Sequence, residues 1–329
     1  MMSEMLLSIR DLEVSIHNAG QTMYAVNRVN LDIPPHSVVG LVGESGCGKS
    51  MTAMSIMGLL ASNISVSGGE ILFEGNDLTK LSPEQMRDIT GKSISMIFQE
   101  PMTALNPVVR VGKQIEEVLI LHTNLNKAER KKRVLEILNA VSVPDAEARY
   151  KAYPFQLSGG LRQRICIAMA MICNPKLLIA DEPTTALDVT IEAQILQLMR
   201  DLKEHFDTSI LMITHNLGIV SELCDDVNVM YLGEIVEHTV TDELFEHPLH
   251  PYTNGLIQSV PKIQKDMQEL ENIPGMVPDL QHVPAGCRFC DRCPYATERC
   301  KAEHPDLYEP IPGHTVRCFR YEHGMKGVD

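Results

Sequence analysis

The chain has 329 residues, 44% of them hydrophobic, and a formal net charge of -14. It is long enough for more than one buried core, and its acidic balance argues against a surface built chiefly to wrap nucleic-acid phosphates. No apolar run approaches the roughly 18 to 20 residues that span a bilayer, and Met1-Met2-Ser3-Glu4-Met5-Leu6-Leu7 lacks the basic region and apolar core of a secretion signal, so a cytoplasmic location with reduced thiols is expected.

Leu6 to Val14 and Asn27 to Ile33 alternate apolar and polar residues as half-exposed strands do, with Asn18-Ala19-Gly20-Gln21 as the turn between them. An antiparallel flank is expected there. Tyr24 and His17 lie near the turn, where an aromatic face can stack on an adenine ring; plain strand surface is the competing reading for both.

From Ser37 to Leu60 an apolar run, Val38-Val39-Gly40-Leu41-Val42, leads into Gly43-Glu44-Ser45-Gly46-Cys47-Gly48-Lys49-Ser50 and then a Met-, Ala- and Leu-rich segment opening at Met51. A buried strand, a glycine turn and a helix start are what a phosphate cradle requires. Gly43, Gly46 and Gly48 let successive main-chain N–H groups face one anion, and the helix N-terminus adds partial positive charge. Lys49 can reach the outer phosphates, and the Ser50 hydroxyl is placed to hold a magnesium ion bridging them. Cys47 occupies a variable position of this turn, so its thiol is expected to be open to oxidation or alkylation without a catalytic task.

Ile71 to Phe73 with Glu74-Gly75-Asn76-Asp77 predicts a strand and turn, and Ile94 to Phe98 predicts a short apolar strand ending at Gln99. Between Pro101 and Gln156, Gln114 to Leu121 and Ala128 to Val141 carry helical periodicity, which makes a helical insert. The basic run Lys127 to Arg133 fits a solvated helix face better than a nucleic-acid patch on so acidic a chain. Leu157-Ser158-Gly159-Gly160-Leu161-Arg162-Gln163-Arg164 then opens another helix, and Ser158 with two glycines at its start suits a second anion site or a simple cap.

Leu177-Leu178-Ile179-Ala180 is continuously apolar, as a strand covered on both faces is, and delivers Asp181-Glu182-Pro183 at its end. Asp181 is placed to support magnesium, and Glu182 to polarise an attacking water. Ser209 to Thr214 forms a further strand ending at His215-Asn216, on the edge where α/β folds bind ligands. Nine cysteines are present, five of them between Cys287 and Cys318. Such crowding in a reducing compartment suggests metal before disulfides.

The order of cradle, Gln99, Leu157 to Gly160, Leu177 to Glu182, Ala186-Leu187-Asp188 and His215 spans about residues 5 to 240 and resembles the nucleotide-binding subunit of an ATP-binding-cassette (ABC) transporter. The resemblance implies an α/β, RecA-like P-loop NTPase domain over residues 1–240, with an antiparallel β flank and a helical subdomain near 100–160. It also implies two such subunits packed head to tail. Each ATP is then held by one subunit's Gly43, Glu44, Ser45, Gly46, Cys47, Gly48, Lys49, Ser50 and Met51, with Tyr24 on the adenine, and by Ser158, Gly159 and Gly160 of the other. In this scheme Ser50, Gln99 and Asp181 serve magnesium, Glu182 is the general base, His215 holds the outer phosphate, Gln99 senses metal and lytic water, and Asp188 links the paired sites. Leu161 departs from the Gln common in the wider superfamily, and an apolar residue there is similar to the peptide-importer branch.

His247 to Thr253, Ser259-Val260-Pro261 and Ile273-Pro274-Gly275 resemble the C-terminal region of dipeptide and oligopeptide importer ATPases, and residues 241–329 are expected to form a small, loop-rich, Cys-rich extension. In that branch the comparable cysteines hold a [4Fe-4S] cluster, and Cys287, Cys293, Cys300 and Cys318 match that spacing. Cys290 is an extra, possible as an alternate ligand; zinc, a disulfide or no metal are the competing readings. The implied partners are two transmembrane permease subunits, a second ATPase that is a related chain, and, indirectly, an extracellular or periplasmic peptide-binding protein. The implied place is the cytoplasmic face of the cell membrane, as a peripheral subunit. The competing functions are an importer ATPase for nickel, haem or another small solute, and a soluble nucleic-acid-directed ABC ATPase. Against the latter stand the single cassette and the modest insert.

Overall fold

Alternating hydrophobicity makes a sheet with one buried face, and that pattern builds the first layer. In the computed structural model β1 (Leu7–Asn18) and β2 (Gln21–Ile33) pair antiparallel from Leu7 opposite Ile33 to Asn18 opposite Gln21. Leu7, Ile9, Leu12 and Val14 are fully buried, as are Val26, Val29 and Ile33. β4 (Ile64–Phe73) lines the other edge of β1, and β5 (Asn76–Asp77) completes the order β2-β1-β4-β5. The expected antiparallel flank is therefore present, with longer strands than alternation alone marks. The structure describes residues 5–18, 21–100, 104–185, 187–259 and 273–325, so Ala19, Gly20, Ala186, Val260 and Pro261 lie outside the described residues.

These residues divide into two units. One contains the flank together with the described residues of Val38–Thr79 and Ile213–Asp329. Its second sheet segment runs β3 (Val38–Val42), β9 (Asp226–Tyr231), β10 (Glu234–Val240), β12 (His314–Val316) and β11 (Tyr308–Ile311). β3 and β9 are parallel and the remaining pairs antiparallel. Every residue of β3 is buried. Its helices are α1 (Lys49–Met57), α8 (Leu217–Leu223), α9 (Thr241–Glu246), α10 (Pro251–Gln258) and α11 (Glu298–Ala302). The residues after 273 are mostly short turns, as their proline and glycine content implies, yet β12 is stitched into a sheet by pairing Val316 with Glu237.

The other unit is chiefly Lys80–Met212. Its strands β6 (Ile94–Ile97) and β7 (Leu177–Asp181) are parallel, Ile94 facing Leu177 and Ile97 facing Ala180, with β8 (Ser209–Thr214) next in order. All three are buried along their whole length, which is why they read as continuous apolar runs. Around them lie α2 (Pro83–Ile89), α3 (Val111–His122), α4 (Lys127–Ala140), α5 (Ala146–Lys151), α6 (Gly159–Met171) and α7 (Val189–Phe206). Asn126 starts α4 by accepting from the Ala128 and Glu129 N–H groups, and the Glu129 side chain answers on the Asn126 N–H. The basic run on α4 faces acids of its own unit, Lys131 to Glu147 and Lys132 to Glu136, as a solvated helix face does.

A buried charge ties α3, α4 and α5 together. Glu116 on α3 has a side chain only 1% exposed, and it takes Lys113 at 2.5 Å, Arg130 at 3.3 Å and the Tyr150 hydroxyl at 3.2 Å. Gly112 lets Tyr150 approach, since a Cβ there would stand 2.2 Å from the ring. Burial works against the Glu116 charge, but the hydrogen bonds from Lys113, Tyr150 and Arg130 outweigh it and hold the carboxyl below the ordinary carboxylate range. Because the folded value is the lower one, this stability is present above the unfolded pKa of about 4.3 and is lost as pH falls through the folded value. Glu116→Gln should cost about 2 kcal/mol near neutral pH, less than a fully buried pair because Lys113 is half exposed. Thermal melts of parent and variant should converge as pH falls through the folded value of Glu116.

Candidate functional site

The glycine turn after β3 keeps a backbone shape that side chains would forbid. Gly43 and Gly48 have φ of 154° and 109°, and a Cβ would stand 2.1 Å from the Met230 carbonyl oxygen at the first and 2.5 Å from that of Ala25 at the second. The turn therefore lies directly on β9 and β2. Gly48 caps α1 without a side-chain bond, leaving the first-turn N–H groups of Lys49, Ser50 and Met51 as the helix's positive end. Lys49 is 5% exposed, and its ammonium donates to the Gly43 carbonyl at 2.7 Å and to that of Glu44 at 3.0 Å. Ser45, Gly46 and Ser50 are exposed.

Cys47 corrects an expectation. Its thiol is buried to 1% exposure, and burial pushes its pKa up more than neighbouring Lys49 lowers it. A sealed, protonated thiol is poorly placed for oxidation or alkylation. Two residues that sequence reasoning missed hold the same turn. The Glu44 N–H donates to the Tyr252 hydroxyl oxygen at 2.8 Å, and the Glu44 carboxylate accepts from both terminal nitrogens of Arg292, at 2.6 and 3.0 Å. Tyr24 on β2 is 44% exposed, with its ring open to solvent, and His215 is exposed just past β8.

In the other unit, β7 carries Asp181 at 3% exposure, and the chain then turns sharply. Glu182 has φ of 46°, a left-handed conformation that a glutamate adopts only when its surroundings enforce it. Its carboxylate accepts from the Gln99 amide at 3.0 Å and from the Thr185 hydroxyl at 2.9 Å. Gln99 and Glu182, 83 residues apart, thus meet, and Thr185 is a third member that sequence reasoning missed. Gln163 on α6 donates to the Pro183 carbonyl at 2.6 Å, binding the helix that opens at Ser158 to this turn. Ser158 caps α6 by accepting from the Leu161 N–H, and Asp188 caps α7 by accepting from that of Ile191. Gly160 leaves room for Ile191, which a Cβ would meet at 2.8 Å.

Cys287, Cys290, Cys293, Cys300 and Cys318 are free thiols lining one cavity of about 280 Å³. Burial raises Cys287 to about 12, and Cys290 and Cys318 to about 11. Among the described residues no three Cys, His, Asp or Glu side chains converge closely enough to hold a metal ion. The formed metal centre expected from the spacing is therefore not seen: the thiols stand around a space instead of meeting at a point.

Comparison with known proteins finds two matching family models along the chain. Residues 26–185 match the family model described as ABC transporter, and residues 236–300 match that of the oligopeptide/dipeptide transporter C-terminal region. The chain is 51% identical to the oligopeptide transport ATP-binding protein AppD of Bacillus subtilis, covering 96% of this chain and 97% of that one. It is 46% identical to the oligopeptide transport ATP-binding protein OppD of Escherichia coli, over 97% and 94%, and 47% identical to the dipeptide transport ATP-binding protein DppD of Bacillus subtilis, over 99% of each. A dimeric, post-hydrolysis structure of the ATP-binding cassette MJ0796 with ADP and phosphate superposes at a TM-score of 0.65 with 26% identity, covering 71% of this chain and 98% of that one.

The burial of Cys47 has a direct check. In the native chain a maleimide probe should label Cys47 about tenfold or more slowly than half-buried Cys173, and the difference should disappear in denaturant. Equal native rates, read by peptide mass mapping, would show that the turn is not sealed.

Proposed function

The chain belongs to the family of ABC-transporter ATP-binding subunits that serve oligopeptide and dipeptide transport, and from that premise we propose that it hydrolyses ATP to energise peptide import. The carrying observation is the Glu182 carboxylate, held by Gln99 and Thr185 at the end of the strand that bears Asp181. A carboxylate held in place by two donors is oriented so that it can take a proton from a water attacking the outer phosphate of ATP. Water adds to that phosphorus, the bond to the ADP oxygen breaks, and the water proton passes to Glu182 before release.

Gly43, Glu44, Ser45, Gly46, Cys47, Gly48, Lys49, Ser50 and Met51 bind the phosphates, His215 holds the outermost one, and Tyr24 stacks on adenine. The N–H groups of the turn supply fixed dipoles, and Lys49 leaves its carbonyl partners for the phosphates. Magnesium would be held by Ser50, Gln99 and Asp181, and when bound it neutralises charge on the phosphate oxygens. Ser158, Gly159 and Gly160 act on the nucleotide of a second ATPase subunit, with Asp188 between the paired sites; the dimeric state of the MJ0796 cassette supports this reading. That second subunit is a related chain. Two permease subunits receive the motion, and a peptide-binding protein outside the membrane supplies cargo to them. No helix among the described residues is long and apolar enough to cross a membrane, and the subunit works peripherally on the cytoplasmic face. Relatives aligned along nearly the whole chain carry names for peptide transport, which favours peptides over nickel, haem or nucleic acid.

The division into an ATPase domain over 1–240, with a helical part near 100–160, and an extension over 241–329 is part of the same reading. Within the extension, Cys287, Cys293, Cys300 and Cys318 would hold a [4Fe-4S] cluster, with Cys290 as alternate. The observation behind it is that all four line one cavity of about 280 Å³. A bound metal would also deprotonate the Cys287, Cys293 and Cys318 thiols, which burial otherwise keeps protonated.

Glu182→Gln should retain MgATP binding and lose steady-state hydrolysis by about 100-fold or more, accumulating as a nucleotide-bound pair in gel filtration; undiminished hydrolysis would remove Glu182 from its role. Chain purified without oxygen should be brown, with visible sulfur-to-iron absorbance. A colourless preparation containing zinc by elemental analysis would replace the cluster with zinc.

A further inference from the structure

The Cys-rich segment reaches into the phosphate cradle, and one side chain makes the connection. Arg292 lies in the short turn Cys290–Arg292, immediately before Cys293, and its side chain is 4% exposed. Its Nε donates to the Pro274 carbonyl at 2.9 Å, and its guanidinium lies 5.8 Å from the Tyr231 ring centroid and 6.0 Å from that of Phe289. Backed in this way, the guanidinium presents both terminal nitrogens to the Glu44 carboxylate. Glu44 is the second residue of the cradle, and its own N–H is taken by Tyr252, whose ring packs edge-on against Tyr231 at 4.7 Å.

A glutamate in that position raises an electrostatic difficulty. Its carboxylate is 31% exposed and sits in a loop whose task is to accept a polyanion. Unpaired, it would repel the phosphates and swing freely, turning the cradle's main chain with it. A bidentate arginine removes both effects at once: it cancels the charge and fixes the plane of the carboxylate, which a single lysine ammonium cannot do. Because the arginine is buried and braced by Pro274 and two rings, the order is supplied by the C-terminal segment to the cradle.

We infer that Arg292 is a positioning residue for nucleotide binding, which neutralises and orients Glu44 so that the cradle accepts a triphosphate. This rests on the nucleotide-binding reading above. The test is an equilibrium titration of the full chain with MgATP at low ionic strength, with thermal melting as a check of folding. Arg292→Met should raise the Kd for MgATP about tenfold. Adding Glu44→Gln to that variant should recover most of the loss, because the unpaired carboxylate is then gone. A merely structural lesion in the Cys-rich segment would not be relieved by changing the cradle. Should Arg292→Met lose its native melting transition, Arg292→Lys takes its place, with a loss of about threefold expected and the same relief by Glu44→Gln. If the variant binds MgATP as tightly as the parent, or if Glu44→Gln brings no recovery, Arg292 has no such role. If the parent itself takes up no MgATP, the nucleotide reading falls and this inference with it.

Discussion

A cradle made of main-chain N–H groups and glycines has few side chains of its own with which to hold its shape, so much of its geometry must come from what packs behind and beside it. Here the glycine turn rests on the carbonyls of Met230 and Ala25 at distances that leave no room for a Cβ. Its second residue is held at the N–H by Tyr252 and at the carboxylate by Arg292. The turn is thus fixed from below by β9 and β2 and from the side by the C-terminal segment. Without that support the peptide dipoles would point in many directions, and preorganisation, the source of their electrostatic effect, would be lost.

The C-terminal segment can serve as a brace because it is anchored by buried charge. Glu234 is 3% exposed in its side chain and receives Arg288 at 2.9 Å and His304 at 2.8 Å, while Asn27 of β2 donates to it at 2.6 Å. Glu237 is fully buried and accepts from the N–H groups of Leu249 and His250 and from the His314 ring. Burial acts against the charge of Glu234, but His304, Arg288 and Arg317 overcome it and lower its pKa. Each such acid is costly to leave without partners, so the elements that supply those partners are held to one arrangement. The tyrosines and Phe289 fill the space between, with ring centroids 4.7 to 5.4 Å apart.

The Glu182 carboxylate is organised by a different device. Glu182 follows a strand buried on both faces, and its left-handed backbone turns it out of line with Asp181. Gln99 and Thr185 then hold one end of it. Gln163 reaches the next carbonyl from α6, so the helix that opens with Ser158 is tied to the turn that bears Glu182.

Local chemistry made much of this protein legible in its sequence. The cradle, the paired carboxylates after an apolar run, the helical insert and the half-buried flank all depend on residues within a few positions of one another, and periodicity and turn chemistry report such relations directly. The pairing of Val316 with Glu237, the grip of Arg292 on Glu44 and the meeting of Gln99 with Glu182 join residues 79, 248 and 83 positions apart. No local pattern contains them. The fate of the thiols belongs to the same class: Cys47, set in a glycine turn, is buried, and the five C-terminal cysteines, close in sequence, line a cavity without meeting at a point. Accessibility and convergence are set by what the rest of the chain packs against a residue, and that is decided only when the chain has folded.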